Sequence, residues 1–152
     1  GAGPFPTEQD NEVGDQLRER GREYGTTTGR PRRCGWLDLV AVRYAAMVSG
    51  VTEIACMLLD VLSGFDELAV CTAYRLPDGS RTDRFLPDAH ALEQVEPVYE
   101  IMPGWSEELV DVARRTDLPP NALAYLDRIE ASLGLPIRLI SVGPDRSQTI
   151  GA

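Results

Sequence analysis

The sequence predicts an α/β fold, in which buried strands are separated by helices. Two apolar runs of strand length, residues 52–59 and 68–76, lie in the middle of the chain. Helix-like segments with capping residues lie on either side of them, at residues 39–49 and 121–133. Strands that are buried on both faces and interleaved with helices are typical of this fold class.

The first third of the chain predicts two helices joined by an irregular loop. Residues 11–22 form the first helix, with Val13 and Leu17 as its sparse apolar face and Gly25 just beyond its end. Residues 39–49 form the second helix, which begins after the good N-cap residue Asp38 and ends at Gly50. The glycines and proline between the two helices exclude a regular element there.

The middle of the chain predicts strands. Residues 52–59 are a strand buried on both faces, and residues 68–76 are a second strand. The sequence Pro-Asp-Gly-Ser at 77–80 is a hairpin turn that leads into residues 81–86. A short helix at 88–94 and a strand in PVYEIMPGW follow.

The last third predicts two further helices and one strand. Residues 107–115 are a candidate helix. Pro119 and Pro120 open the second helix, with Asn121 as its cap, and Gly134 ends it after Leu133. Residues 137–142 form the last strand, which runs directly into GPDR.

The composition and charge of the chain argue against several classes of function. The net charge of −9 argues against a general nucleic-acid binder or a protein of acidic membranes. No apolar run spans a bilayer and no signal peptide opens the chain, while its three cysteines lack metal or disulfide spacing. These features predict a cytoplasmic protein with free thiols. The opening residue Gly1 suggests a start inside a longer protein.

Arginine is concentrated in one short stretch of this acidic chain. All fifteen basic residues are arginines, which excludes a P-loop lysine, and six of them lie within residues 18–33. Glycine and hydroxyl groups let a backbone approach an anion, and guanidinium groups bind carboxylate or phosphate bidentately. The stretch therefore fits an anion site or, alternatively, a solvated basic loop. Its central residues are Thr26, Thr27, Thr28, Gly29, Arg30, Pro31, Arg32 and Arg33.

Two strand ends carry further candidate residues. Asp60 follows the apolar run 52–59, and ligands of open α/β sheets bind beyond the carboxyl ends of strands. Its carboxylate can accept from two adjacent N–H groups, such as N1 and N2 of guanine, although a turn-forming aspartate is the plainer alternative. The backbone that follows the last predicted strand can line a flat base, but many strand-to-loop junctions look alike. Its residues are Ser141, Val142, Gly143 and Pro144.

Cys34 lies next to the arginine-rich stretch. Positive charge beside a thiol can activate it mildly, whereas a structural role is the simpler interpretation.

Seven segments of the chain resemble the adenylosuccinate synthetase family. They occur in the family's order and spacing over essentially the whole chain, which corresponds to roughly the last third of a full-length member. The resemblance implies the C-terminal part of a P-loop-like, mostly parallel-sheet ligase with a β-hairpin and packed helices. The segments are GPFPTE, EYGTTTGRPRRCGWLDLVAVR, LLDVLSGF, AYRLPDG, PVYEIMPGW, NALAYLDRIEASLGLPI and SVGPDR.

The resemblance implies a role for each candidate residue. The segment 26–32 matches the loop that closes over the carboxylates of aspartate, in which Arg30 also touches the IMP side and Arg32 holds the aspartate. Asp60 matches the acid that recognises guanine, and Leu58 and Leu59 precede it in the same motif. The GTP-binding set is completed by Ser141, Val142 and Gly143, whose backbone lines the guanine pocket, and by Pro144 beside them.

The family's reaction is implied for the full-length protein. GTP phosphorylates the 6-oxygen of IMP, and the amine of L-aspartate then displaces the phosphate to give adenylosuccinate, GDP and phosphate in AMP biosynthesis. The glycine-rich phosphate loop, the catalytic Asp and His and the Mg²⁺ ligands belong to the N-terminal part, which this chain lacks. We therefore expect no catalytic residue and no activity in the chain alone, and a cytoplasmic homodimer for the whole enzyme.

Leu58 departs from the family pattern, which commonly has lysine at this position. A leucine cannot donate a hydrogen bond to the guanine carbonyl. This leaves open a paralogous ligase that uses another nucleotide such as ATP. A non-catalytic module that binds a nucleotide or a dicarboxylate is the alternative from a different class.

Overall fold

The α/β fold predicted from the sequence is confirmed by a computed structural model, which describes residues 2–151. Short 3₁₀ turns occupy Leu59–Leu62, Arg115–Asp117 and Arg146–Gln148. The helices and strands of the described residues are α1 (Glu12–Gly21), α2 (Leu39–Ser49), α3 (Ala89–Glu93), α4 (Pro120–Leu133), β1 (Leu37–Asp38), β2 (Ile54–Cys56), β3 (Glu67–Arg75), β4 (Arg81–Thr82), β5 (Glu96–Pro103), β6 (Ile137–Ser141) and β7 (Thr149–Gly151).

The chain divides into two compact units. The first unit extends up to Ala45 and takes in residues 69–101, and the second consists of residues 46–68 and the chain from Met102 onward. The boundary crosses α2, β3 and β5, so both units are built from discontinuous pieces of the sequence.

A mixed sheet organises the first unit. β1 pairs with β3 in parallel, β4 pairs with β3 antiparallel through the predicted hairpin, and β5 also pairs with β3. The hairpin turn is closed by Asp78, whose carboxylate accepts hydrogen bonds from the backbone N–H and the hydroxyl of Ser80. The sheet and helices bury a common apolar cluster, whose members are Val40, Cys71, Tyr74, Leu92 and Val95.

Side-chain caps explain where the helices of this unit begin. The Asn11 side chain accepts from the N–H groups of Val13 and Gly14 at the start of α1. Asp38 caps α2 by accepting from Ala41 N, as predicted, and its second oxygen accepts from the buried hydroxyl of Tyr74. These contacts satisfy N–H groups that a helix start would otherwise leave without partners.

A second sheet lies in the other unit, in the order β2-β6-β7. β2 and β6 are parallel, with Cys56 opposite Ile140, and β7 is antiparallel to β6. Because β2 and β6 are parallel, their carboxyl ends reach the same edge of the sheet. Helix α4 buries residues spaced three or four apart, which places them on one face of the helix. They are Ala122, Tyr125, Leu126 and Ile129.

Two backbone segments of the second unit approach each other closely at Gly104. Gly104 N donates to Asp66 O at 2.8 Å, and Gly64 N donates to Trp105 O at 2.7 Å. A Cβ atom on Gly104 would lie 1.8 Å from Phe65 O, so a side chain does not fit there. The indole N–H of Trp105 donates to the buried hydroxyl of Ser63 beside this seam.

Two predicted elements, a strand and a helix, differ from the structure. The strand predicted at 52–59 is reduced to β2, where Ala55 is exposed, because Leu58 adopts a left-handed conformation and the chain turns into Leu59–Leu62. The helix predicted at 107–115 is absent. The segment contains a turn in which Val112 N donates to the backbone oxygen of the buried Leu109 at 2.9 Å. Residue Gln94 ends the predicted helix 88–94 as expected.

Asn121 is not the cap of α4, and β6 is not the last strand. Asn121 lies inside the helix after Pro120, and its side chain donates to Gly104 O at 2.7 Å. β7 follows β6 after a short turn and was not predicted, and neither was β1. Both missed strands are two or three residues long and are specified by their pairing partners rather than by their own sequence.

None of the helices among the described residues is long and apolar enough to cross a membrane.

Candidate functional site

The arginine-rich stretch forms the tip of a narrow hairpin in the first unit. Arg32 N donates to Glu23 O at 2.9 Å, and Tyr24 forms an antiparallel bridge with Pro31. Gly25 N donates to Arg30 O at 2.8 Å and closes the loop. The hairpin therefore presents the loop as an ordered projection.

Local hydrogen bonds shape the loop. Gly29 N donates to Gly25 O at 2.7 Å, and Gly29 has a φ of 66°, which favours glycine. The hydroxyl of Thr28 accepts from Arg30 N at 3.4 Å. The predicted binding residues of the loop are all exposed, and they are Thr26, Thr27, Thr28, Gly29, Arg30, Pro31 and Arg32.

Arg33 is held by the protein itself. Its Nε and Nη2 atoms donate to the two carboxylate oxygens of Glu8 at 2.8 and 2.6 Å, and its Nη1 atom donates to Gly3 O at 2.7 Å. Its guanidinium also lies 5.4 Å from the ring centre of Phe5. The hydrogen bond from Arg33 holds the pKa of Glu8 below its ordinary value. Arg33 therefore ties the hairpin to the segment that opens the chain.

Arg32 has one carboxylate partner. Its Nη1 atom lies 2.7 Å from an oxygen of Glu23, the residue opposite it across the hairpin. Its backbone oxygen accepts from Arg18 Nε at 2.9 Å, so the backbone of Arg32 is anchored to α1.

Arg30 is the uncommitted arginine of the loop. Its guanidinium forms no hydrogen bond or ion pair with any of residues 2–151, and the side chain is exposed. Arg30 and Arg32 face a cavity of about 690 Å³ between the hairpin and the start of the chain. The lining residues are Gly3, Pro4, Phe5, Gly25, Arg30, Pro31, Arg32 and Arg33. This cavity can accept an anion with guanidinium groups at its wall.

The thiol of Cys34 is not activated by its neighbours. Burial raises the pKa of Cys34, and the nearby charges of Arg18 and Arg32 do not reverse that effect. A thiol with a raised pKa is a poor nucleophile at neutral pH, so the activated thiol that the sequence left open gains no support.

The second candidate group follows the carboxyl end of β2. Leu58 has φ 56° and ψ 47°, and this left-handed residue turns the chain into Leu59–Leu62. Leu59 is buried, and Asp60 lies inside the turn, where its backbone oxygen accepts from Ser63 N at 3.1 Å. One oxygen of the Asp60 carboxylate is shielded from solvent. The turn packs against β6.

The third group follows the carboxyl end of β6. The buried hydroxyl of Ser141 donates to Gly143 O at 2.8 Å, and Val142 N donates to Gln148 O at 2.9 Å. The side chain of Gln148 fills the space above Gly143, where an added Cβ would lie 2.2 Å from its oxygen. Pro144 is exposed beyond this turn.

The two strand-end groups therefore share one edge of the second sheet. The turn with Leu58, Leu59 and Asp60 follows β2, and the turn 141–144 follows the parallel strand β6. Ligands of open α/β sheets bind at this kind of edge. The arginine loop belongs to the other compact unit.

A cavity of about 390 Å³ in the second unit lies elsewhere, around Gly64, Gly104 and Trp105. The predicted GTP-binding residues are not among those that line it. Among residues 2–151 no group of three or more His, Cys, Asp or Glu side chains could hold a metal ion.

Two residues that shape these groups were not singled out from the sequence. Glu23 contacts Arg32, and Gln148 supports Gly143. The sequence does contain a pattern that could have identified Glu23. Glu23 precedes the turn from Gly25 to Arg30 by as many residues as Arg32 follows it, so the two opposite charges face each other if the turn closes a hairpin. Gln148 carries no comparable signal, because its contact depends on the shape of the turn before β7.

Comparisons with known proteins agree over nearly the whole chain. A family model described as adenylosuccinate synthetase matches residues 1–150. Adenylosuccinate synthetases of Alkaliphilus metalliredigens and Salinibacter ruber are 53% and 57% identical to it over 150 residues, which is 99% of this chain. A structure described as fully ligated adenylosuccinate synthetase from Plasmodium falciparum matches with a TM-score of 0.96 and 41% identity, over 100% of this chain and 37% of that one.

The match leaves most of each relative uncovered. The chain spans 35% of the length of the Alkaliphilus metalliredigens protein and 34% of the Salinibacter ruber protein. Family model, curated relatives and solved structure nevertheless agree, and the chain belongs to the adenylosuccinate synthetase family.

Proposed function

We propose that the chain supplies the aspartate-binding loop and the guanine pocket of an adenylosuccinate synthase. The full-length enzyme would ligate IMP and L-aspartate at the expense of GTP, giving adenylosuccinate, GDP and phosphate in AMP biosynthesis. Membership of the family over residues 1–150 supports this proposal. Mg²⁺, the IMP site, the homodimer and the cytoplasmic location remain predictions for the full-length protein.

The uncommitted guanidinium of Arg30 is the observation that carries the proposal. It stands at the tip of an ordered hairpin, beside a cavity of about 690 Å³ that Arg32 also lines. L-aspartate carries two carboxylates, and two neighbouring guanidinium groups can bind one carboxylate each. A loop of this kind neutralises the substrate and fixes the direction of its amine.

The positive charge of the loop also favours the reactive form of the substrate. An amine attacks as a nucleophile only when it is unprotonated. Cationic groups nearby disfavour a second positive charge, so Arg30 and Arg32 would lower the pKa of a bound ammonium group. The loop would thus assist catalysis without donating or accepting a proton itself.

The strand-end groups are the proposed base pocket. A carboxylate at Asp60 can accept from N1 and N2 of guanine, while the backbone of Ser141, Val142 and Gly143 lines the base. The shared sheet edge and the shielded oxygen of Asp60 support this assignment. Leu58 offers no donor to the guanine carbonyl, which favours an ATP-using relative as the second candidate.

Replacement of Arg30 tests the role of the loop. In the chain, Arg30→Ala should weaken L-aspartate binding at least about tenfold, because a charge-assisted bidentate contact is lost. An NMR titration of the loop amides measures the dissociation constant. The matched control is Arg22→Ala, which removes the same charge from an exposed residue of the same unit. Equal effects of the two substitutions would refute the role of Arg30.

The reaction itself is tested in a full-length protein that carries this sequence. Turnover with IMP, L-aspartate and GTP supports the proposal, and turnover with ATP in place of GTP identifies the second candidate. Nucleotide binding without turnover under either condition would favour the non-catalytic module.

A further inference from the structure

Arg32, one of the three arginines that line the cavity, already holds a carboxylate of the hairpin. Glu23 lies opposite Arg32 across the hairpin, and the backbone hydrogen bond from Arg32 N to Glu23 O keeps the two residues in register. The ion pair between their side chains is 2.7 Å long. Arg30, on the same loop, has no such contact with any of residues 2–151.

The contact of Glu23 differs from the other arginine–carboxylate pair of the hairpin. Arg33 forms two hydrogen bonds with Glu8, a third with Gly3 O and a ring contact with Phe5. Arg32 donates to Glu23 through Nη1 alone. The first pair is a fixed structural tie, whereas the second is a single contact that a competing anion can replace.

Because both side chains are partly exposed, breaking the ion pair between Arg32 and Glu23 costs little free energy. The side chains of Arg32 and Glu23 are 56% and 33% exposed. An ion pair in such an environment contributes little to stability, because water and salt screen it. A ligand that binds Arg30 through one carboxylate brings its second carboxylate to the loop at high effective concentration, and so it competes favourably with Glu23.

We propose that Glu23 is a resident carboxylate, which occupies Arg32 in the absence of ligand and is exchanged for a ligand carboxylate. This inference rests on the proposed function of the loop. A dicarboxylate must displace Glu23 from Arg32, and this competition lowers the affinity of the loop for the ligand. Glu23 also reduces the binding of monocarboxylates and other simple anions to Arg32. It is a residue that sets affinity through Arg32 and does not contact the reacting atoms.

The substitution Glu23→Gln tests the exchange. It removes the competing charge while it keeps the size and the backbone contact of residue 23. L-aspartate and succinate should bind the variant about fivefold more tightly, the factor that corresponds to the loss of one exposed ion pair. The measurement is an NMR titration of the loop amides in the 152-residue chain.

A control of equal charge separates this effect from general electrostatics. Asp15→Asn removes one negative charge from an exposed carboxylate that pairs with Arg18, 2.6 Å away, in the same unit. The affinity of this variant should remain within about twofold of the parent value, because its charge change does not release Arg32. Amide spectra of both variants establish that the chain is folded.

A second readout follows the exchange directly. In the parent chain with ¹³C-labelled glutamate, the carboxyl signal of Glu23, identified by its loss in Glu23→Gln, should shift when succinate saturates the loop. A merely structural pair would keep this signal in place.

The outcomes distinguish the inference from the proposed function. Absence of dicarboxylate binding in the parent chain and in Glu23→Gln would overturn both. Binding in the parent chain that is unchanged or weaker in Glu23→Gln would overturn the exchange alone, as would an unshifted Glu23 signal. Tighter binding in Asp15→Asn to the same extent as in Glu23→Gln would likewise overturn it.

Discussion

At the scale of the residue, Arg22 shows how one backbone angle affects stability. It ends α1 in the left-handed conformation, with φ 49° and ψ 43°, while its side chain is exposed. An L-residue with a side chain pays a conformational cost in this region that glycine does not pay. The predicted terminator Gly25 lies three residues too late to take this role.

We therefore expect Arg22→Gly to stabilise the protein by about 1 kcal/mol. Chemical denaturation of the two proteins at neutral pH measures the difference. Gln16→Gly, inside the same helix, is the opposite control and should destabilise by about 1 kcal/mol. A loss of stability in Arg22→Gly would show that the side chain of Arg22 contributes more than its strained backbone costs.

The three loop arginines show the limit of sequence interpretation at the same scale. Arg30, Arg32 and Arg33 are one residue type within four positions, and residue type alone offers no means to rank them. The family resemblance implied roles for Arg30 and Arg32 but did not indicate what holds Arg33. Their partners differ because the hairpin pairs Arg32 with Glu23 and brings Arg33 to Glu8, 25 positions away. The structure is therefore needed to distinguish Arg33, which has a structural role, from Arg30, whose guanidinium forms no ion pair with the described residues.

At the scale of the element, Glu130 connects α4 to β6. Its carboxylate accepts two hydrogen bonds from Arg115, at 2.7 and 3.1 Å, and one from Ile137 N at 2.6 Å. The hydrogen bonds from Arg115 come first among the causes that lower the pKa of Glu130 below its ordinary value of 4.5. The ionised carboxylate is thus favoured in the folded state.

A folded-state pKa below the unfolded value stabilises the protein at higher pH. The contribution of Glu130 is complete above its ordinary pKa of 4.5 and is lost as the pH falls through the lowered value. We expect Glu130→Gln to cost about 1–3 kcal/mol at pH 7, and this difference should shrink in acid. Denaturation curves over a pH series measure it.

Asp127→Asn is the control for this prediction. Asp127 also contacts Arg115, at 3.1 Å, but its side chain is 69% exposed. Its replacement should change stability little, because exposed ion pairs are screened. A pH-independent loss in Glu130→Gln would mean that packing, and not the charge, explains the effect.

Elements whose ends are marked by capping residues could be predicted from the sequence. Elements that depend on pairing with a distant strand could not. Asp38 and Gly134 place helix ends from the sequence alone, because caps act through neighbouring backbone groups. β7 depends on its pairing with β6, and β2 ends early because Leu58 turns the chain in a left-handed conformation. No local pattern reveals either feature. The prediction that Asn121 caps α4 was wrong for a related reason, because its side chain donates a hydrogen bond to Gly104 O, which is distant in the sequence.

At the scale of the whole molecule, exposed apolar side chains mark the second unit. Met47, Met57 and Leu139 are 69%, 58% and 37% exposed. Among the described strands, β2 pairs with β6 alone, which leaves its other edge open. Open strand edges and exposed apolar groups promote association between chains.

We expect the chain to self-associate as its concentration rises. The substitutions Met57→Lys and Leu139→Lys together should reduce this association, because charge opposes both apolar contact and edge pairing. Light scattering over a concentration series measures it. Gln16→Lys, on an exposed face of α1, is the control and should leave association unchanged. Equal scattering from all variants would mean that the surface around Met57 and Leu139 does not mediate self-association.

Residue type and strand ends predicted where the candidate groups lie, and the binding roles of those groups stay predictions. The turns after β2 and β6 follow two parallel neighbouring strands, a pairing that the apolar runs alone did not predict, and the arginine loop lines a cavity. The support from Glu23 and Gln148 escaped notice, because it arises from pairing across a hairpin and from the filling of a turn. Residue types indicate chemistry, whereas supporting contacts require the fold.

The close approach at Gly104 also restricts how this sequence can diverge. The nearest backbone oxygen would be 1.8 Å from a β-carbon there, and two reciprocal hydrogen bonds hold that oxygen's segment in place. Even alanine, the smallest chiral residue, would require backbone displacement. A library that samples all twenty amino acids at this codon should consequently return glycine among its folded survivors and almost nothing else.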